Sequence, residues 1–156
     1  MSITTSPTAT TVAQVDVRGP RFAAWVTTVV LLAALVASAV SSTVAAVLLA
    51  AQAVVFAIGA ARGPRQHPYG RIFANFVAPR LSPVTEREPV PPLKFAQLVG
   101  FAFALVGVAG FAFGVPLLGA IATAFALAAA FLNAAFGICL GCQIYPLVAR
   151  LRRAPA

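Results

Sequence analysis

The sequence predicts an all-α integral membrane protein. Its form would be a four-transmembrane-helix bundle built from two helical hairpins, with both termini in the cytoplasm. Three observations predict it: an apolar, charge-poor composition, four apolar runs of spanning length, and basic residues confined to one set of connections. Of 156 residues, 61% are apolar and 9% are charged, against about a quarter charged in soluble globular proteins. A soluble chain of this length could not bury that much apolar surface around one core. Lipid is the solvent that resolves the excess.

The four runs are Phe22 to Val40, Val44 to Ala61, Phe95 to Phe113 and Leu117 to Phe136, with the last helix expected to continue to residue 138. Each is 18 to 20 residues long and holds no Asp, Glu, Lys, Arg or His. About 20 apolar residues carry a helix across a hydrocarbon core, and a helix satisfies its own backbone there. Ser41-Ser42-Thr43 and Gly114-Val115-Pro116 are short enough to make each pair of runs a hairpin.

Orientation follows from charge. Arg18 and Arg21 precede the first span. Arg62, Arg65, Arg71, Arg80, Arg87 and Lys94 occupy the central loop, and Arg150, Arg152 and Arg153 follow the last span. These segments hold all eleven Lys and Arg, and the two hairpin turns hold none. The positive-inside rule places them in the cytoplasm. The net charge of +8 is therefore read as topology and lipid-headgroup attraction, with no nucleic-acid partner.

The organisation expected is a disordered Ser/Thr-rich arm over residues 1–20, one membrane domain over 21–153 and a short tail, 154–156. Ala37-Ser38-Ala39 resembles a signal-peptide cleavage site. The preceding apolar run is longer than a signal peptide's, and another span follows at once, so it reads as a helix. The central loop, 62–94, has seven prolines, which forbid a long helix. Within it, residues 71–81 place Ile72, Phe73, Phe76 and Val77 on one helical face between Arg71 and Arg80. That pattern suits a short interfacial helix on the inner leaflet, or a loop packed under the bundle.

The third span carries Gly100, Ala104, Gly107, Gly110 and Gly114 on one stripe, which suits close helix packing within the bundle or in a homodimer. Two amides within the spans, Gln52 and Asn133, read as hydrogen-bonding between helices. No carboxylate, Lys or His lies in a span, which argues against ion-coupled transport, including the small four-helix multidrug exporters. His67 is the only histidine and lies in the loop, so no Ser-His-Asp set can be assembled in the bilayer.

Cys139-Leu140-Gly141-Cys142 is the one constellation with chemical content. These are the only two cysteines, and chance would give the spacing about once in eighty placements. Residues three apart can meet, so the pair can close a disulfide or share a soft ligand. Gly137 and Gly141 are expected to loosen the helix end, and Pro146 to stop an unbroken helix after Tyr145. The pair would then lie at the cytoplasmic exit, with Arg150, Arg152 and Arg153 beside it favouring the thiolate. Gln143 stands where haem attachment needs His. One CxxC supplies half the ligands of a structural zinc or iron–sulfur site, so metal would need a homodimer; no metal or cofactor is predicted for one chain. A quinone-linked disulfide oxidase of four helices would need a second cysteine pair and an extracytoplasmic site. The bland alternative is that the cysteines fill a crowded helix end.

Asn133 to Tyr145 (NAAFGICLGCQIY), Ala78-Pro-Arg-Leu-Ser-Pro83 and Pro91 to Phe101 (PPLKFAQLVGF) together resemble domain of unknown function 4395, a family of small bacterial membrane proteins. The resemblance covers roughly residues 18 to 152, and the FGxCLGCxxY tail is its most specific part. It implies a bacterial cytoplasmic (inner) membrane and no established activity. It also implies rhodanese-type sulfurtransferases and thioredoxin-like proteins as partners, since members are often encoded beside them.

The leading expectation is a membrane thiol protein in which Cys139 and Cys142 serve sulfur transfer or thiol–disulfide redox, with Asn133, Gly137, Gly141 and Tyr145 in support. Two other classes stay open. One is a passive pore or carrier for a small sulfur species. The other is a membrane anchor or scaffold with inert cysteines that recruits partners through the central loop.

Overall fold

A computed structural model describes residues 11–153. The elements run β1 (Gln14–Asp16), α1 (Arg18–Ser38), α2 (Ser42–Arg62), α3 (Pro68–Ile72), β2 (Arg87–Pro89), α4 (Val90–Ala112), α5 (Pro116–Phe136) and α6 (Leu140–Arg153). The four long helices, α1, α2, α4 and α5, are long and apolar enough to cross a membrane. At 1.5 Å per residue a helix of 21 residues reaches roughly 32 Å, matching the hydrocarbon thickness.

The side chains these helices present outward decide the solvent. Val29 is 63%, Val47 64%, Leu117 71% and Phe125 62% exposed. A water-soluble protein does not spread large apolar residues over its surface in this way. The chain is a multi-pass membrane protein. Inside, the core is built of small and aliphatic residues: Leu31, Ala34, Ala45 and Leu49 are fully buried and meet Phe111 and Ala126. Because lipid is as apolar as leucine, close packing and dispersion must hold the helices together.

The packing forms a ring. Helix α1 touches α2 and α5, and α4 touches α2 and α5. The glycine stripe of α4 faces into this ring. A Cβ built on Gly110 would lie 2.4 Å from the backbone nitrogen of Gly119 on α5. One on Gly107 would lie 2.8 Å from Leu49 of α2, and one on Gly100 would run into Phe56 of α2. Of the two uses open to the stripe, packing within the bundle is the one these contacts show.

The two strands pair antiparallel, with Val15 opposite Glu88. The disordered arm expected over 1–20 is thereby corrected in its later part, while residues 1–10 lie outside the described residues. Sequence reading missed the pairing because two three-residue strands carry no periodic signal. Asp16 and Arg18 fasten the corner. Nε of Arg18 donates to both carboxylate oxygens at 3.0 Å and Nη2 donates to Oδ2 at 2.8 Å. The guanidinium also donates to the Ser82 carbonyl, and Arg65 donates to the Gln14 carbonyl. The Arg18 hydrogen bonds hold the Asp16 carboxyl below its usual range.

The stretch expected as one interfacial helix over 71–81 is composite. Helix α3 passes into a π turn at Phe73–Val77 and a 3-10 turn at Ala78–Arg80. The Ala78 N–H reaches back to the Phe73 carbonyl, and Pro79 has no N–H to continue an α pattern. Phe73 is also not on the outward face. It is 6% exposed, stacked at 5.8 Å on Phe22, whereas Ile72 and Phe76 point outward between Arg71 and Arg80.

The third correction concerns the C-terminal segment. Pro146 does not stop the helix: α6 runs through it to Arg153. Leu140, Ile144, Leu147 and Leu151 are all exposed and form one stripe at helical spacing, with Arg150, Arg152 and Arg153 off that stripe. A proline inside a helix removes one N–H, here the one that would reach the Cys142 carbonyl, without abolishing the remainder.

Candidate functional site

The bend between α5 and α6 positions the cysteines. Gly137 takes φ +69°, a left-handed conformation that glycine adopts without a Cβ clash. Its N–H closes on the Asn133 carbonyl, and the Ile138 N–H closes on Leu132. Cys139 follows immediately before α6, and its sulfur accepts the Cys142 N–H at 3.3 Å. With Cα atoms 5.2 Å apart, the two cysteines form a disulfide. Both are half-buried. A sulfur at a helix N-terminus that accepts a backbone N–H is favoured as thiolate once reduced.

The cation beside this bend differs from the expectation. Arg150, Arg152 and Arg153 sit in the last turn of α6, about 12 Å or more along the helix from Cys142. Arg21 is the near one: a Cβ on Gly137 would overlap its guanidinium. Gly141 also has a packing role. A Cβ there would lie 2.6 Å from Ala96 Cα, so glycine lets α6 lie against α4. Tyr145 extends the same contact, its ring 5.9 Å from that of Phe95. Arg71, Phe73, Phe76 and Arg80 belong to the composite helical stretch and do not line the cavity described next.

Behind the disulfide lies a cavity of about 320 Å³ between α1, α4, α5 and α6. Cys139 lines it and Cys142 does not. Its walls include Phe56, Phe103 and Phe125, and its polar groups include His67, Gln97 and Asn133. His67 is 1% exposed, and neither ring nitrogen has a hydrogen-bond partner. The carbonyl oxygen of Gln97 is likewise buried without a donor. Gly59 makes the room for both: a Cβ there would lie 2.6 Å from His67 Cδ2 and 3.0 Å from Gln97. Beside them Tyr69 donates to Gln52 Oε1 at 2.9 Å, and Gln52 donates to Thr27 at 3.5 Å.

A family model, described as domain of unknown function 4395, matches residues 15–150. The chain belongs to the domain of unknown function 4395 family. No curated protein and no solved structure matches it. In this member of the family the match spans β1 through most of α6, so the disulfide and the cavity both fall within it.

His67 gives this domain of unknown function 4395 protein a pH dependence. Burial pushes its pKa down from 6.5 to about 4, which the Gln97 side chain facing the imidazole, outside good hydrogen-bond geometry, only partly opposes. Between those values the unfolded chain binds a proton that the folded chain refuses, so stability falls as pH drops through that window. The loss should approach about 3 kcal/mol by pH 4. Unfolding in detergent at stepped pH checks it: His67→Gln should flatten the profile between pH 6.5 and 4, and an unchanged profile would reject His67 as its source.

Sequence reading gave Gln52 and Asn133 as structural amides and dismissed His67 as a loop residue. It missed Gln97, a third amide inside the third run. The usable signal was polarity in an apolar helix, since such groups face the bundle interior. His67 carried no such mark, because only the fold of the loop after Gly63 carries it inward.

Proposed function

We propose that this protein is a membrane thiol protein whose Cys139–Cys142 pair cycles between disulfide and dithiol in sulfur transfer or thiol–disulfide exchange. The observation that carries the reading is the placement of the pair: a half-buried disulfide at the start of α6, with Cys139 at the helix N-terminus. The basic segments at the end of the bundle that carries α6 support a cytoplasmic side for that chemistry, and the family resemblance supports a bacterial inner membrane.

We assign the two sulfurs different parts, on the Cys142 N–H that the Cys139 sulfur accepts. A thiolate of a thioredoxin-like partner attacks Cys142, forming a mixed disulfide and releasing Cys139 as the better-stabilised thiolate. The partner's second thiol then displaces Cys142, leaving the dithiol and an oxidised partner. For a rhodanese-type donor, the Cys139 thiolate takes the sulfane sulfur as a persulfide. Cys142 attacks its inner sulfur, restoring the disulfide and releasing hydrosulfide.

The test is the state and side of the thiols in whole cells. Cultures are acid-trapped and labelled with a mass-adding maleimide, with and without reduction, then with an impermeant reagent on intact cells. Each is run with and without thiosulfate. The expected result is thiols shielded from the impermeant reagent that shift between free and oxidised forms when thiosulfate is added. Thiols unchanged under every condition would sink the redox reading in favour of an anchor, and labelling from outside would overturn the sidedness.

A further inference from the structure

We infer that the cavity behind Cys139 binds the head group of a membrane quinone, which takes the electron pair of the Cys139–Cys142 dithiol. The inference rests on the thiol-cycling reading above and adds the second substrate. Four features carry it. The cavity is large enough for a small ligand, about 320 Å³ at the lower end of the usual range. Its walls are mostly apolar, with three phenylalanines, so an occupant arriving from lipid loses little on entry. A fully buried His67 and the buried Gln97 oxygen line the same space, and beyond each other neither has a partner. Buried polar atoms left unpaired are costly, and a ligand that completes them gains what their isolation loses. Finally, Cys139 of the disulfide forms part of the wall.

The ligand's chemistry follows from those groups. A neutral imidazole offers one N–H and one lone pair, and Gln97 offers an acceptor. A flat, uncharged molecule with oxygens that accept hydrogen bonds when oxidised and donate them when reduced fits both. It must also accept two electrons and reach a site among membrane helices. A quinone meets all of these conditions. The step balances: the two thiols lose two electrons and two protons as the S–S bond forms, and the two quinone oxygens take up both, giving the quinol. His67 would hold one of those oxygens. The second cysteine pair that an extracytoplasmic oxidase needs as a relay is not required. Cys139 faces the cavity while Cys142 lies off it, so one pair can meet a soluble dithiol on one side and the quinone on the other.

The test uses the full chain in lipid nanodiscs and ubiquinone-1 as probe. In the first arm both cysteines are changed to Ser, and binding is followed by fluorescence of Trp25, the only tryptophan, which adjoins the lining residue Ala24. Saturable quenching is expected, weakened about tenfold in His67→Leu, the loss of one hydrogen bond's worth of affinity. Ala129→Phe, which adds bulk to the α5 wall of the cavity and leaves His67 and Gln97 in place, should abolish it. In the second arm the native pair is pre-reduced and given one equivalent of ubiquinone-1. One disulfide and one quinol per chain are expected. Quenching that never saturates and is equal in all variants would overturn the site, whether or not the cysteines are redox-active. Saturable binding with the dithiol left reduced would overturn the electron transfer. If thioredoxin still exchanged with the pair in either case, the thiol-cycling reading would stand without the quinone.

Discussion

Changing either Cys139 or Cys142 to Ser is expected to abolish thiol cycling while the bundle stays folded. The disulfide closes a loop of only a few residues, so it removes little freedom from the unfolded chain. Neither sulfur is in the buried core, and Ser is close to isosteric. Thermal unfolding in detergent under reducing conditions should therefore move by less than about 0.5 kcal/mol in either variant. The two losses should differ in kind. On the proposed roles, Cys139 is the thiolate the helix terminus stabilises, and Cys142 the sulfur a soluble partner attacks. Cys139→Ser, with Cys142 first activated as its thionitrobenzoate disulfide, should then form a mixed disulfide with a thioredoxin whose resolving cysteine has been removed, releasing thionitrobenzoate. Cys142→Ser, activated in the same way at Cys139, should form far less, because Cys139 lines the cavity. Trapped species resolved by non-reducing electrophoresis decide it. Equal trapping by both variants would refute the assignment of roles, and full cycling by both would refute thiol chemistry altogether.

What could be read from the sequence, and what could not, divides along physical lines. The four spans were legible because lipid demands long apolar runs, and the runs fall within α1, α2, α4 and α5 to a few residues. The cysteine pair was legible because three-residue spacing is a local property that the chain cannot conceal. The family was legible in the FGxCLGCxxY tail. By contrast, β1 and β2 pair residues more than 70 positions apart, and nothing local marks them. The continuation of α6 through Pro146 depends on contacts at Gly141 and Tyr145 with α4. These hold the segment helical where propensity would end it. The polar cavity was least legible of all. His67 enters it from a loop, Gln97 from α4 and Asn133 from α5, and only the fold brings those segments together.

Replacing Gly110 with Val is expected to give the largest loss of stability of any single change in the spans. The argument is one of distance. A Cβ at Gly110 would sit 2.4 Å from the Gly119 nitrogen and 2.7 Å from its Cα. Both obstacles are backbone, which cannot turn away as a flexible side chain can. Helices α4 and α5 would have to separate, and Phe111 and Ala126 of the central cluster would lose contacts with them. Overpacking of this kind costs about 3 kcal/mol, and no hydrophobic gain in lipid offsets it. Gly114, four residues on, supplies the control. It has nothing within 4 Å of its missing Cβ but takes φ +78°. Gly114→Ala should therefore lose about 1 kcal/mol, the cost of left-handed backbone alone. Unfolding titrations of both variants in mixed micelles separate the two causes. Equal losses would mean that the stripe on α4 serves conformation, and only a much larger loss at Gly110 fits a helix pair whose backbones are in contact.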